Sequence, residues 1–261
     1  MATPIGNLKD ITFRAVEVLK EVSLVLAEDT RTSGVLLRHY GIETRMRSFH
    51  KFNEKEREEE VLREVAGGKK VALISDAGTP GICDPGASLI KRCRESGVKI
   101  EVVPGPCAMV AALSLYGSEE SFQFIGFLEK KGKKQLIDVI YYPGITVAYE
   151  SPHHLMKTLE WMEKIAPEKK IFIARELTKL HEETLEGTPK ELLLHFKNKK
   201  ILGEYVLIIE GNENPFESEP KELMERLEKR FEISRKEAIA IAAKLLNQPK
   251  RSLYADLCRD I

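Results

Sequence analysis

The sequence predicts an α/β protein made of two sheet-containing units and a small helical tail, and three observations carry that prediction. Over residues 1–116, short apolar runs that end at turn or polar residues alternate with helical patterns, as in a mostly parallel sheet covered on both faces. Over 117–211 a second series of strands and helices follows. The segment 212–220 is polar and carries two prolines, which marks a linker, and 221–261 is helical in pattern.

In the first unit the expected strands are Ser23–Ala27, Val71–Ile74 and Ile100–Val103, and the expected helices include Ile11–Glu21 and Glu54–Val65. An apolar helix that ends at Gly117-Ser118 sets the boundary. In the second unit the strands are Phe122–Phe127, Ile145–Tyr149, Ile171–Ala174 and Tyr205–Ile209, with helices over His153–Ile165 and Pro189–Lys197. Thr184–Gly187 reads as a short antiparallel strand, which makes this sheet mixed. In the tail, Ser234-Arg-Lys-Glu237 is a capping box, in which serine and glutamate satisfy the orphan amides of a helix start. Ile239, Ala242, Ala243, Leu245 and Leu246 then form an apolar face. Pro249 opens a last short helix carrying Leu253, Tyr254 and Leu257, giving a helix-turn-helix-like tail.

Composition narrows the function classes. The chain has 261 residues, 43% apolar and 31% charged, which suits a globular protein with a sizeable core. No run of eighteen apolar residues and no basic segment leading into an apolar stretch is present, so neither a membrane span nor a signal peptide is expected. The four cysteines, Cys83, Cys93, Cys107 and Cys258, form no C-x-x-C pair. The expectation is a reducing cytoplasm, with no zinc site and no disulfide framework. The formal net charge is zero, so any nucleic-acid contact must use local basic patches.

Three turns rich in glycine and proline fall where strands should end: Ala2–Asn7, Ser75–Gly81 and Pro104–Ala108. In an open parallel sheet, ligands bind beyond the carboxyl ends of the strands, and glycine lets backbone approach a ligand closely. Tight strand–helix turns need glycine and proline in any case. Three such turns in one sheet, the middle one carrying Asp76, favour a small-molecule site. None matches G-x-G-x-x-G or the P-loop pattern, so neither a dinucleotide nor a nucleoside triphosphate is indicated.

The segments ATPIGNLKDIT, AEDTRTSGVLL, SDAGTPGICDPG, VPGPCA, YESPHH and ARELTK stand in the order and spacing of the 16S rRNA (cytidine-2′-O)-methyltransferases. Over about residues 1–211, and in its helical tail, the chain resembles that family. The resemblance implies a tetrapyrrole-methylase-like α/β fold, with S-adenosyl-L-methionine held in a cleft between two domains. It also implies a homodimer acting on 16S rRNA within the 30S ribosomal subunit, at the ribose of a decoding-centre cytidine. By motif, Pro4, Asp76, Ala77, Gly78, Cys107 and Ala108 would lie against the cofactor, joined by Tyr149, Leu177, Tyr205 and Val206 further along the chain. Related enzymes of the fold act on small molecules such as tetrapyrroles; the ATPIGN turn and the tail argue against that reading. A non-catalytic ribosome-assembly protein that keeps the fold is the other alternative. The resemblance also implies a short apolar strand just before Ala2, where this sequence has only Met1. A missing central strand would leave buried backbone groups unpaired, so the expectation is either residues upstream of Met1 or a depleted first sheet.

Methyl transfer from a sulfonium is an in-line displacement governed by positioning, and a ribose hydroxyl needs its proton accepted or held. The densest polar cluster is Arg175–Lys179, just after an expected strand, so Glu176 or Lys179 is the candidate to orient or deprotonate the hydroxyl. The plainer alternative is an ordinary ion pair on a loop. Glu28 and Asp29 follow another strand as candidate helix-capping acids, with capping favoured for Asp29. Arg31 is a candidate phosphate contact, and His50 and Asn53 are candidate substrate contacts. His153 and His154 read as solvated first-turn residues. Candidate RNA contacts are Lys130 and Lys131 in a lysine-rich loop, and Arg235, Lys236, Lys250 and Arg251 in the tail, where Tyr254 offers a stacking face. The run at Lys197–Lys200 reads as solvated surface.

Overall fold

The computed structural model of the chain describes residues 1–129, 133–211 and 213–253. It divides into two units, one comprising Met1–Ala111 with Glu176–Glu182 and the other Ala112–Arg175 with Glu183 onward.

The first unit runs through α1 (Phe13–Glu21), β1 (Leu24–Ala27), α2 (Thr30–His39), β2 (Met46–Ser48), α3 (Glu54–Ala66), β3 (Val71–Leu73), α4 (Ala87–Glu95) and into α5 (Ala108–Tyr116). Local chemistry sets the helix starts. The Thr12 hydroxyl accepts the Ala15 amide at 3.1 Å and the Asp29 carboxylate accepts the Arg31 amide at 2.8 Å, so two orphan donors are satisfied. The capping role expected of Asp29 is therefore present. The three strands form a parallel sheet in the order β2-β1-β3. Side chains alternate across the buried central strand. Val25 and Ala27 pack with Leu19 of α1 and Leu37 of α2, while Leu24 and Leu26 pack with Val61 of α3 and Leu89 of α4. Helices thus cover both faces, as the alternating pattern predicts.

One expectation needs correction here, and one strand is new. Ile100–Val103 forms no strand: a ladder needs continuous pairing, and the backbone beside it supplies Ala2 N–H to the Val103 carbonyl at 3.0 Å. Val102 is accordingly 73% exposed. Met46–Ser48, not anticipated as a strand, pairs in register with Val25–Ala27. The residues at Met1–Thr3 are hydrogen-bonded into this region. The terminal ammonium donates to the Leu73 carbonyl at 2.8 Å, and Thr3 exchanges backbone bonds with Gly78.

The second unit contains β4 (Phe122–Phe127), α6 (Lys133–Ile140), β5 (Ile145–Glu150), α7 (Leu155–Ile165), β6 (Ile171–Arg175), β7 (Glu183–Gly187), α8 (Pro189–Phe196), β8 (Tyr205–Glu210), α9 (Pro220–Phe231) and α10 (Arg235–Leu245). Its sheet order is β4-β5-β8-β6-β7, parallel between β4 and β5 and antiparallel elsewhere. The mixed sheet expected from Thr184–Gly187 is present. Tyr205, Leu207 and Ile209 of the central β8 face a core shared with α7 and α8. Leu223, Met224, Leu227 and Phe231 of α9 and Ala238, Ile239 and Ala242 of α10 belong to that same core. The expected boundaries shift accordingly. The first unit ends at Ala111, residues 176–182 return to it, and the described part of the tail is built into the second unit. The physical reason is the apolar face of each tail helix, which is buried against the sheet layer instead of being held in a self-contained module. The capping box at Ser234 and Glu237 forms as anticipated, and Thr188 and Glu191 form another at the start of α8. Among the described residues, no helix is long and apolar enough to cross a membrane.

Candidate active site

The parallel strands of the first unit deliver their carboxyl ends to one edge of the sheet. β1 leads into Glu28-Asp29, β2 into Phe49-His50 and β3 into Ile74-Ser75-Asp76. The ladder continues one residue past each outer strand, through Phe49 N–H to the Ala27 carbonyl (2.8 Å) and Ile74 N–H to the Leu26 carbonyl (2.9 Å). The polar residues therefore start from a rigid base. The Asp29 amide donates to Asp76 Oδ1 at 3.1 Å, which ties the first strand end to the third.

The Ala2–Asn7 and Ser75–Gly81 turns are joined at a two-bond bridge. Thr3 N–H reaches the Gly78 carbonyl at 2.9 Å and Gly78 N–H returns to the Thr3 carbonyl at 3.1 Å. Buried Thr3 also donates its hydroxyl to the Ser75 carbonyl at 3.0 Å, and Ser75 Oγ donates to the Gly78 carbonyl at 3.1 Å. Gly78 has φ +79°, which a side chain resists, and a Cβ there would stand 3.5 Å from Ile5 and 3.8 Å from the Pro106 carbonyl. The third turn is therefore adjacent as well. The structure brings together the three turns that the sequence singles out, with Pro4 and Gly78 buried, Asp76, Cys107 and Ala108 half-buried, and Ala77 exposed.

The electrostatics of this edge are acidic. Burial pushes the Glu28 carboxyl up, and the nearby Asp84 and Asp76 carboxylates add to the effect. Asp76 is also raised, first by burial and then by Asp29, against the lowering effect of the Asp29 amide. Asp29 goes the other way, to about 2, because the Arg31 guanidinium binds it at 2.6 Å. Of the two candidate capping acids, Asp29 takes that position, and Glu28 is left facing Asp76, Asp84 and His50. Glu28, expected only as a capping acid, and Asp84, not singled out in the sequence, both stand at this edge. Their place directly after β1 and just beyond the glycine turn is the signal that could have found them. His50 is half-buried and held by Asn53, whose Oδ1 accepts the His50 amide at 2.8 Å and whose Nδ2 donates to the Ser48 carbonyl at 3.2 Å. Arg31 is exposed.

Residues 176–182 lie against the first turn. Asn7 N–H donates to Thr178 Oγ1 at 3.0 Å. Glu176 and Lys179 are half-buried and paired at 2.8 Å, and Leu177 between them is buried. In the second unit, Tyr149 is half-buried with its ring edge-on to Phe124 and Phe127 at 5.0 and 5.6 Å. Tyr205 and Val206 are buried in the central strand, with β5 on one side and β6 on the other. Arg235, Lys236, Lys250 and Arg251 are exposed. Lys130, Lys131 and Tyr254 lie outside the described residues.

Residues 2–193 match the model of the tetrapyrrole (corrin/porphyrin) methylases. A Thermotoga maritima protein named ribosomal RNA small subunit methyltransferase I is 44% identical over 216 residues, 82% of this chain and 97% of that one. Its namesake from Escherichia coli O157:H7 is 42% identical over 261 residues, covering 97% and 91%. That from Bacillus subtilis is 38% identical over 97% and 90%. Among solved structures, a cobalt precorrin-4 methyltransferase matches with a TM-score of 0.63 at 17% identity, over 80% of this chain and 92% of that one. A uroporphyrin-III-C-methyltransferase from Thermus thermophilus matches at 0.59 and 18%, over 79% and 90%. These two share the fold at 17–18% identity, whereas the Escherichia coli and Bacillus subtilis relatives match 97% of the chain at 42% and 38% identity. By those matches the chain belongs to the ribosomal RNA small subunit methyltransferase I family, within the tetrapyrrole methylases.

Proposed function

We infer that the chain is an S-adenosylmethionine-dependent methyltransferase of 16S rRNA, and we propose that its acceptor is the ribose 2′-hydroxyl of a decoding-centre cytidine, reached in the small ribosomal subunit in the cytoplasm. The observation that carries this reading is the identity of 38–44% with enzymes of that name, in the Escherichia coli case over 97% of the chain. The strand-end geometry fits the cofactor. A donor that bears a sulfonium and an ammonium suits an edge carrying Glu28, Asp76 and Asp84.

When bound, the cofactor supplies an activated methyl group. Pro4, Asp76, Ala77, Gly78, Cys107, Ala108 and Leu177 of the first unit are the proposed donor contacts, and Tyr149, Tyr205 and Val206 are the further residues assigned to it by resemblance. Tyr149 is half-buried, while the buried Tyr205 and Val206 serve through the strand they build. In the proposed chemistry, the Glu176 carboxylate accepts the hydroxyl proton, and the Lys179 ammonium, 2.8 Å from it, stabilises charge that develops on the ribose oxygen. The proposed RNA contacts are Arg31 and His50, with Arg235, Lys236, Lys250 and Arg251 giving phosphate attraction that the neutral whole does not. Lys130, Lys131 and Tyr254 complete that proposal, and a homodimer is proposed as the working state.

The test is transfer of labelled methyl groups from S-adenosylmethionine to small subunits isolated from cells lacking this modification, with naked 16S rRNA and a tetrapyrrole in parallel. The expected product is one methylated ribose, located by mass mapping of nuclease fragments. Transfer to the tetrapyrrole alone would point to a small-molecule enzyme. Donor binding without transfer to any acceptor would point to a non-catalytic assembly protein. Light scattering on the same preparation decides the dimer.

A further inference from the structure

We propose that Thr178 is a positioning residue of this reaction: its hydroxyl oxygen, by holding the Asn7 amide, seats the 176–182 loop on the first turn and so fixes the Glu176–Lys179 pair. The proposal rests on the functional reading in which this pair serves the transfer. It begins from an anomaly in the backbone. Glu176 has φ +51° and Thr178 φ +66°, so two side-chain-bearing residues on either side of Leu177 adopt the left-handed region, one of them β-branched. Such residues persist there only where the surroundings over-determine them, and they concentrate at functional sites.

Here the bracing comes from several directions. β6 and β7 pair up to Arg175 opposite Glu183, and these two side chains also form an ion pair at 3.3 Å, so the neck of the loop is closed. A two-residue turn would be enough to join such strands; this loop instead runs from Glu176 to Glu182. It is braced within itself by Lys179 N–H to the Glu176 carbonyl at 3.0 Å and Glu182 N–H to the Lys179 carbonyl at 3.1 Å. The Glu182 carboxylate also accepts the Thr178 amide. Externally, Asn7 N–H donates to Thr178 Oγ1.

The seat exists because residue 6 is glycine. A Cβ on Gly6 would stand 2.5 Å from Lys179 Cγ, 2.7 Å from Thr178 Oγ1 and 2.9 Å from the Leu177 carbonyl. The stem of Lys179 therefore runs over Gly6, and three consecutive loop residues meet one backbone position. Any movement of Thr178 from Asn7 shifts Lys179 and the partner it holds at 2.8 Å. A misplacement of about 1 Å at a reacting group can cost on the order of a hundredfold in rate, which is why a hydrogen bond remote from the transferred atom can govern the chemical step.

The experiment compares wild type with T178V, which keeps the shape and removes the acceptor, and T178S, which restores it. Single-turnover methyl transfer to small subunits, donor affinity by calorimetry and hydrogen exchange of the 176–182 peptide are measured on the full chain. We expect T178V to lose at least tenfold in rate with donor Kd changed less than threefold, the thermal midpoint unmoved and exchange at 176–182 raised. T178S should lie within twofold of wild type in both rate and exchange. G6A, which crowds the same seat, should copy T178V. A T178V enzyme as fast as wild type, or a T178S enzyme as slow as T178V, would overturn the proposal. So would unchanged exchange at 176–182 in T178V beside an active wild type. A wild-type chain that transfers nothing to small subunits instead overturns the functional reading, and the positioning role of Thr178 with it.

Discussion

Gly78 is held by the fold and is also a proposed cofactor contact, so one residue tests both. Its φ of +79° makes any side chain costly, by about 1–2 kcal/mol from the left-handed backbone alone. The 3.5 Å spacing to Ile5 is ordinary contact, so strain and not crowding dominates. Gly78→Ala should lower the thermal midpoint by about 2–8 °C, on the scale of roughly 2–4 °C per kcal/mol for a chain of this size, which calorimetry measures. Gly78→Val should also weaken S-adenosylmethionine binding at least tenfold, or ~1.4 kcal/mol; donor affinity equal to wild type would remove Gly78 from the cofactor site. The neighbouring acids make a second test. Glu28 and Asp76 are both raised by burial, so the folded state holds their protons more tightly than the unfolded chain does. Their cost to stability is absent below the ordinary carboxylate range, about pH 4. It grows as pH rises and is complete above the raised folded values. Glu28→Gln and Asp76→Asn should therefore raise the thermal midpoint at neutral pH, with the gain fading towards pH 4, while activity falls. A midpoint gain that persists undiminished at low pH would mean that burial of charge is not its cause.

At the scale of elements, the loop and the tail illustrate opposite lessons. The loop carries Glu176 and Lys179 at 2.8 Å, and Glu176→Gln or Lys179→Met should lower the single-turnover rate by about 10²–10⁴-fold, the range typical of general acid–base groups, with donor affinity nearly unchanged. Rates within threefold of wild type for both would leave an ordinary ion pair. The tail is less separable than its polar linker suggests. Leu227 and Phe231 of α9 are 0% and 1% exposed within the core of the second unit. Leu227→Ala should cost about 2–5 kcal/mol and Phe231→Ala about 3–5 kcal/mol, read from denaturant midpoints. A chain ending at Asn214 would uncover this core and should aggregate or melt early. A truncated chain with a wild-type melting curve would show that α9 and α10 add nothing to the core.

For the molecule as a whole, neutrality is the informative number. With 41 basic and 41 acidic side chains, long-range attraction to RNA is absent, and affinity must come from local placement. Arg235, Lys236, Lys250 and Arg251 are all exposed on the second unit, so a docking role for them is compatible with α9 and α10 being part of the core. Replacing all four with glutamine should weaken binding to small subunits and flatten its salt dependence. Each phosphate that is no longer neutralised should take roughly 0.7–0.9 off the logarithmic slope. Donor affinity should not move. Filter binding across a salt series measures this, and an unchanged slope would place the RNA on another face.

Local and periodic features could be read from the amino-acid order alone. The strand–helix alternation, the apolar run that becomes Leu24–Ala27, the cap at Asp29, the box at Ser234 and Glu237, and the mixed second sheet were all legible, because each depends on residues a few positions apart. The glycine turns were legible as candidates for the same reason, and their motifs carried the resemblance. Which strands are neighbours became clear only in three dimensions, since β8, the last in the chain, lies at the centre of its sheet. The same holds for the missing ladder at Ile100–Val103, the burial of Tyr205 and the packing of α9 and α10 into the second unit. Strand pairing and burial are contests among distant segments, and no local pattern records their outcome. The return of residues 176–182 to the first unit is the clearest case. Nothing in Glu-Leu-Thr-Lys announces two left-handed residues, or that Gly6, far earlier in the chain, makes room for Leu177, Thr178 and Lys179.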